Sequence, residues 1–353
     1  MNNIVTFVLG AGFSYSFDNS FPLANELLSE AKKKNLIADD FRGKLLVDYI
    51  NGYFGEVWEN VNFEKVATFL HSSPFSLEGE NTAIYSIIFD ELISLITSSI
   101  VNKQISQSIS NGTHKNSEIL EKLIRYIVRS DAQIVTTNYD LIMDNMLFRS
   151  GNWFPGTGYG PLMDPVPHIV RNIERQYKSS NYYQESRIKL LKLHGSLNWA
   201  VPVHQAPWKM NECYLNPPNT EGSLSWLDAT QTAFFRESIG MNWPYIPYII
   251  PPVFGKKLDS KIVHDIWYRA TYRMKFSTKV YIIGYSFPES DLLFERMLRD
   301  AGSTGFMNQT KEMHIVNKNI DEKLKLRIKN IFHNVNVEYH ESDAMEFITS
   351  TFD

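Results

Sequence analysis

Six short apolar runs, most of them continuous rather than alternating and separated by helix-like segments, constrain this chain more than any other feature. They are Ile4–Leu9, Gln133–Val135, Ile188–Leu193, Val280–Ile283, Met313–Val316 and Val335–Tyr339. A strand with one face in water alternates apolar and polar residues. A strand covered on both faces has no reason to alternate, because both sets of side chains meet apolar neighbours. Unbroken Val/Ile/Leu runs punctuated by helices therefore predict an α/β fold, a Rossmann-like parallel sheet with helices on both faces. Three segments show the helical faces such a sheet needs. Leu141, Ile142, Met146 and Leu147 form one within 138–149. Leu292, Leu293, Met297 and Leu298 form a second after Ser290-Asp291. Ile320, Leu324, Ile328, Ile331 and Phe332 form a third within 319–332. The lysines and Arg327 opposite that third face read as a solvated surface.

Two stretches break the alternation. Residues from about 21 to 129 are helical in pattern throughout, which predicts a helical insertion between the first and second core strands. Outside the third apolar run, residues from about 150 to 250 are rich in Gly, Pro, Trp and Tyr and read as irregular segments capping one end of the sheet. With no internal repeat and no low-complexity linker, residues 1–353 read as one elaborated catalytic domain.

Composition narrows the partners. A hydrophobic content of 43% supports a large core, and a net charge of -4 offers no basic surplus for a phosphate backbone, so direct nucleic-acid binding is not expected. The single cysteine, Cys213, excludes an internal disulfide and a Cys-rich zinc site and suits a reducing cytoplasm. The longest apolar stretch, Ile84 to Val101, carries Asp90 and Glu91, which a membrane span would strand in hydrocarbon. No basic segment precedes the first apolar run, so a secretory signal is not expected.

Five of the runs end in polar motifs. The first ends in Gly10-Ala11-Gly12-Phe13-Ser14, where two glycines allow a tight turn and close approach to a pyrophosphate. The third glycine of the dinucleotide fingerprint is missing, and a plain strand-to-helix turn would use the same residues. The second ends in Thr136-Thr137-Asn138-Tyr139-Asp140. One helix cap accounts for Asn138 or Asp140 but not for two threonines, an amide and a carboxylate together; such a cluster can hold ribose hydroxyls and order a water. The third ends in His194-Gly195-Ser196, and a histidine at the carboxyl end of a buried strand is placed for acid–base work. The last two are Gly284-Tyr285-Ser286 and Val316-Asn317, which offer close backbone approach and hydrogen bonds to ribose or adenine.

In order along the chain, these five motifs resemble the signatures of the sirtuin family. Ile249-Ile250-Pro251-Pro252 with Lys256 or Lys257, Trp267, the run from Tyr281 to Pro288 with Asp291, and Phe21-Pro22-Leu23-Ala24 extend the likeness. Together these segments look like the bacterial sirtuin-like branch found in anti-phage defence systems. The resemblance implies NAD as substrate, with Gly10, Ala11, Gly12, Phe13 and Ser14 at the phosphates. Thr137, Asn138 and Asp140 would face the nicotinamide ribose, and Gly284, Tyr285, Ser286 and Asn317 the adenosine half. Asn138, His194 and Asp140 would be catalytic. Deacylating sirtuins hold zinc with four cysteines, so one cysteine and scattered histidines lead to the expectation of no metal, and of water rather than acyl-lysine as acceptor. The expected activity is an NAD hydrolase releasing nicotinamide and ADP-ribose. Because unregulated turnover would empty a cell of NAD, gating is expected from a homo-oligomer, from the helical insertion, or from a separately encoded sensor such as a HerA-type ATPase. The alternatives are a non-catalytic module that binds NAD or ADP-ribose, and a deacylase or ADP-ribosyltransferase.

Overall fold

The structure is a computed structural model that describes residues 4–37, 39–72, 82–101, 108–109, 111–164, 184–202, 213–215, 245–251, 260–302, 312–332 and 335–352. The six apolar runs become six strands: β1 (Val5–Leu9), β2 (Gln133–Thr136), β3 (Leu190–Lys192), β7 (Lys279–Ile283), β8 (Glu312–Asn317) and β9 (Asn336–Glu341). All pair in parallel, in the order β3-β2-β1-β7-β8-β9. Among these strands alone the chain order runs 3-2-1-4-5-6, that of the doubly wound dinucleotide-binding folds. Phe7, Val8, Ile134, Leu190, Ile282 and Ile315 are fully buried. Each such side chain stabilises the sheet by about 1.5–3 kcal/mol through removal from water. Strand β9 is the exception. Its sequence is polar and largely exposed, as befits a sheet edge that must not recruit another strand.

Twelve helices are described: α1 (Ala11–Phe17), α2 (Leu27–Lys33), α3 (Phe41–Phe54), α4 (Phe63–Ser72), α5 (Thr82–Ile100), α6 (Ser117–Ser130), α7 (Ile142–Arg149), α8 (Pro155–Gly158), α9 (Lys261–Phe276), α10 (Leu292–Gly302), α11 (Glu322–Ile331) and α12 (Ala344–Thr351). Helices α2 to α6 fall within the stretch read as a helical insertion. Several starts are set by aspartate. Asp40 accepts from the Gly43 amide, Asp321 from Leu324 and Asp343 from Met345, each relieving an amide with no partner inside its helix. Among the described residues no helix is long and apolar enough to cross a membrane.

Two expectations need correction. The helix read from Asn138 begins only at Ile142, because the polar side chains before it bind the local backbone instead. Thr136 Oγ1 accepts from the Asn138 amide, and Asp140 Oδ1 from the Ile142 amide. The segment read as irregular also contains a second sheet. Strands β4 (Gly195–Pro202), β5 (Tyr214–Leu215) and β6 (Tyr245–Ile249) pair antiparallel in the order β5-β4-β6. Leu197, Trp199 and Val201 are all buried and alternate with period two, a strand signal that the surrounding Gly and Pro content obscured. Much of 150–250, together with Pro252, Lys256 and Lys257, lies outside the described residues.

Candidate functional site

Because all six core strands run the same way, the five motifs emerge along one edge of the sheet. Strand order reverses between β1 and β7, and their two turns pack backbone against backbone. The Gly10 amide donates to the Ile283 carbonyl (3.0 Å) and the Gly12 amide to the Gly284 carbonyl (2.8 Å). Gly284 has φ +66°, and a Cβ there would lie 2.1 Å from the Phe13 nitrogen. These glycines therefore fix the two turns to each other. Phe13 is buried in the core and its amide donates to Gly10 O. Asn317 Nδ2 donates to the Tyr285 carbonyl (2.9 Å). Gly10, Gly12, Phe13, Gly284 and Asn317 thus build the frame, and none of them lines the cleft beside it.

That cleft is lined from the motifs by Ala11, Ser14, Thr137, Asn138, Tyr139, Asp140, His194, Tyr285 and Ser286. Phe21, Pro22, Ala24, Leu27, Phe63, Glu64 and Ile100 face them, and Pro288 and Asp291 complete the wall. Its empty space is about 740 Å³ with the open mouth included. The mix of apolar walls with a few convergent polar groups is typical of small-molecule sites.

Three motif residues are joined at its floor. Ser14 Oγ donates to Asp140 Oδ2 (2.6 Å), and Asn138 Nδ2 donates to both Gly10 O and Ser14 Oγ (2.9 Å each). Both Asn138 amide hydrogens are thus committed, and its Oδ1 is the atom left to accept from a ligand. Beneath this loop lies Lys192, 1% exposed in β3. Its ammonium donates to the Asp140 carbonyl (2.5 Å) and to Asp144 Oδ2 (3.0 Å). Tyr159 donates to the other Asp144 oxygen, Asn198 Nδ2 to Tyr159 Oη, and Ser196 Oγ to Asn198 Oδ1. Burial pushes the Asp144 carboxyl above its usual range, opposed by Lys192 and Tyr159. A buried charge tolerates such a place only with partners of this kind.

His194, 2% exposed, is held from three sides. Its carbonyl accepts from Ile250 N (2.8 Å), the indole of Trp267 donates to Leu193 O (2.9 Å), and the Trp267 ring stacks at 6.2 Å from the imidazole. Its Nε2 lies 3.2 Å from Asp291 Oδ2 in a pair buried on both sides. Tyr139 and Tyr285 border the same space. Burial raises both phenols well above their usual range, helped by Glu64 and Asp291, so both remain neutral donors. Tyr139 Oη donates to Ile250 O (3.2 Å), Tyr285 Oη lies 3.4 Å from Asp291 Oδ2, and Ser290 Oγ donates to Glu64.

Sequence reasoning gave no role to Asp291 against His194, to Glu64 or to Lys192. Asp291 was visible as an acid at a helix start and as part of the sirtuin likeness. Lys192 carried a usable signal, a charge inside an otherwise apolar buried strand. Glu64 had none.

No known protein-family profile matches the chain, and no curated protein does. Solved structures similar to it include a Sir2 complex with the inhibitor EX-527, 2'-O-acetyl-ADP-ribose and deacetylated p53 peptide (12% identity, TM-score 0.40, covering 98% of this chain and 91% of that one). A Sir2 mutant bound to p53 peptide and NAD shows 13% identity and TM-score 0.39 over 98% and 91% of the two chains. A mutant Sir2 homologue with 2'-O-acetyl ADP ribose shows 11% identity and TM-score 0.44 over 98% and 89%. Coverage is broad and superposition low, so the reading of the cleft rests on its own residues.

Proposed function

We propose that the cleft binds NAD and that the chain is an NAD hydrolase, releasing nicotinamide and ADP-ribose. The observation that carries this reading is the convergence of Asn138 and the His194–Asp291 pair on one cleft where strand order reverses, the place at which open α/β sheets take their ligands. Breaking the nicotinamide–ribose bond develops positive charge on the sugar. Asn138 Oδ1 accepts from a ribose hydroxyl or the attacking water and fixes its position. His194 takes the proton released as the new C–O bond forms, and Asp291 holds the ring and stabilises its charged form. Asp140, oriented by Ser14, favours the cationic transition state. General-base catalysis of this kind is typically worth roughly 10²–10⁴-fold. Thr137, Ala11 and Ser286 border the substrate, while the glycine frame sets the height of the floor.

The biological role that fits is NAD depletion in bacterial anti-phage defence, in the cytoplasm, gated by self-association or by a separately encoded partner such as a HerA-type ATPase. A module that only bound NAD or ADP-ribose would have no use for a buried histidine–carboxylate pair. The deciding experiment incubates the purified chain with NAD, with and without an acylated peptide, and follows nicotinamide and ADP-ribose by chromatography. Peptide-independent release of both is expected. Release only with peptide would convert the reading to a deacylase, and tight binding without turnover, in the presence of the activating partner, would sink the enzyme reading.

A further inference from the structure

Away from the cleft, one face of β8 and β9 carries a cluster that the hydrolase reading does not use. His314 projects from β8 beside Glu338 and His340 of β9, through the register His314↔Glu338 and Val316↔His340. His314 Nδ1 lies 3.0 Å from His340 Nε2 and 3.3 Å from Glu338 Oε2, and the last two atoms are 3.9 Å apart. A tetrahedral ion with bonds of about 2.0–2.1 Å sets its ligand atoms roughly 3.3 Å apart, so this triangle matches one face of that coordination shell. We propose that His314, His340 and Glu338 form a divalent metal site of the zinc class, which staples the edge strand β9 to β8.

The surroundings fit a ligand set better than a casual polar cluster. Glu312 Oε1 accepts from His314 Nε2 at 2.7 Å, which fixes the tautomer with a lone pair on Nδ1, the atom facing His340 and Glu338. Lys279 in turn holds the other Glu312 oxygen at 3.0 Å. The His314 ring stacks on Tyr281 (centroids 4.6 Å apart, planes at 17°), and His340 packs on Phe347 at 4.9 Å. Both imidazoles are therefore oriented before any ion arrives. His340 and Glu338 are 30% and 48% exposed in their side chains, so an ion has an entry path and water can fill a fourth position. Two imidazoles with one carboxylate select zinc, cobalt or nickel over magnesium or calcium, which prefer all-oxygen shells. For His340 to bind an ion through Nε2, the proton that otherwise bridges the two rings moves to its own Nδ1, so the imidazole stays neutral and no net proton is lost. Sequence spacing hides the group, since its histidines stand 26 residues apart and meet only through parallel pairing.

The test takes the full chain stripped with a chelator, dialyses it against zinc chloride and measures bound zinc by elemental analysis. One tight equivalent per chain is expected, with no competition from magnesium. His340→Ala should abolish it, Glu338→Gln should weaken it at least tenfold, and Glu312→Gln, which touches no ion, should weaken it about 10–100-fold. Zinc should raise the melting temperature of the wild type and leave that of His340→Ala unmoved. Should His340→Ala fail to fold, cobalt absorption of the wild type serves instead, where a spectrum of tetrahedral N/O ligation supports the site. No stoichiometric zinc, a tight equivalent retained by folded His340→Ala, or cobalt that leaves no ligand-field bands overturns the proposal.

Discussion

His194, just past the end of β3, and His314, within β8, each meet a carboxylate, yet the two pairs are built in different ways. His314 finds Glu312 two residues away on its own strand, so that contact follows from the period-two geometry of β8. His194 finds Asp291 only after β3 and the start of α10 are brought together across the cleft. One is a local contact that survives as long as a strand exists. The other is a long-range contact that depends on the register of the whole sheet and on the glycine frame. The His194–Asp291 pair is therefore coupled to the fold as a unit, whereas the Glu312–His314 contact is coupled to its own strand.

Substitutions can break or sharpen that contrast. The largest effect is expected at the cleft. His194→Ala and Asn138→Ala should each lower nicotinamide release by about 10²–10⁴-fold, with circular dichroism unchanged. Wild-type turnover in either would remove the cleft's claim to be catalytic. Next is Lys192→Ala, which leaves Asp144 buried without its cation and should cost about 3–5 kcal/mol in urea denaturation. A loss of no more than a surface pair's worth would mean that the buried chain beneath the Asn138 loop does not support it. Asp291→Asn keeps the shape but removes a charge-assisted bond worth about 1.5–3 kcal/mol. It should lower kcat roughly tenfold to a hundredfold with KM held, a split that a purely structural role would not produce. Gly284→Ala forces a side chain into a left-handed turn and against Phe13, a strain of at least about 1–3 kcal/mol, and activity should fall with stability. The smallest effect belongs to Asp321→Ala on the far half of the sheet. Loss of the α11 cap should cost about 1 kcal/mol and leave turnover per folded molecule untouched.

Much of this was legible in the sequence, for reasons that also explain the rest. Buried parallel strands announce themselves by largely unbroken apolar runs, so β1, β2, β3, β7 and β8 and the edge bearing the motifs could be read along the chain, while the exposed edge strand β9 showed only the alternation of Val335, Val337 and Tyr339. The antiparallel sheet could not, because the alternation of Leu197, Trp199 and Val201 is short and bounded by Gly195 and Pro202, and its partner β6 carries Pro247. Gly195 shows why glycine is there at all. It has φ +85°, and a Cβ would sit 1.9 Å from the Tyr248 carbonyl. Motif residues were assigned to ligand contact as a set, whereas the structure divides them between cleft lining and frame. Whether a glycine faces a ligand or another glycine depends on a neighbour far away in sequence, which no local pattern encodes. The same limit hid Asp291 behind its role at a helix start.

The described lining of the cleft holds three carboxylates, Glu64, Asp140 and Asp291, and no lysine or arginine. A lining of that sign favours a ligand that brings positive charge to it. On the proposed reading this has a consequence for redox state. The oxidised nicotinamide ring is cationic and the reduced ring is neutral, so the two forms of one dinucleotide would differ by a full charge within this lining. Discrimination between them would then need no dedicated contact to the ring, and an enzyme so lined would draw on the oxidised pool while sparing the reduced one.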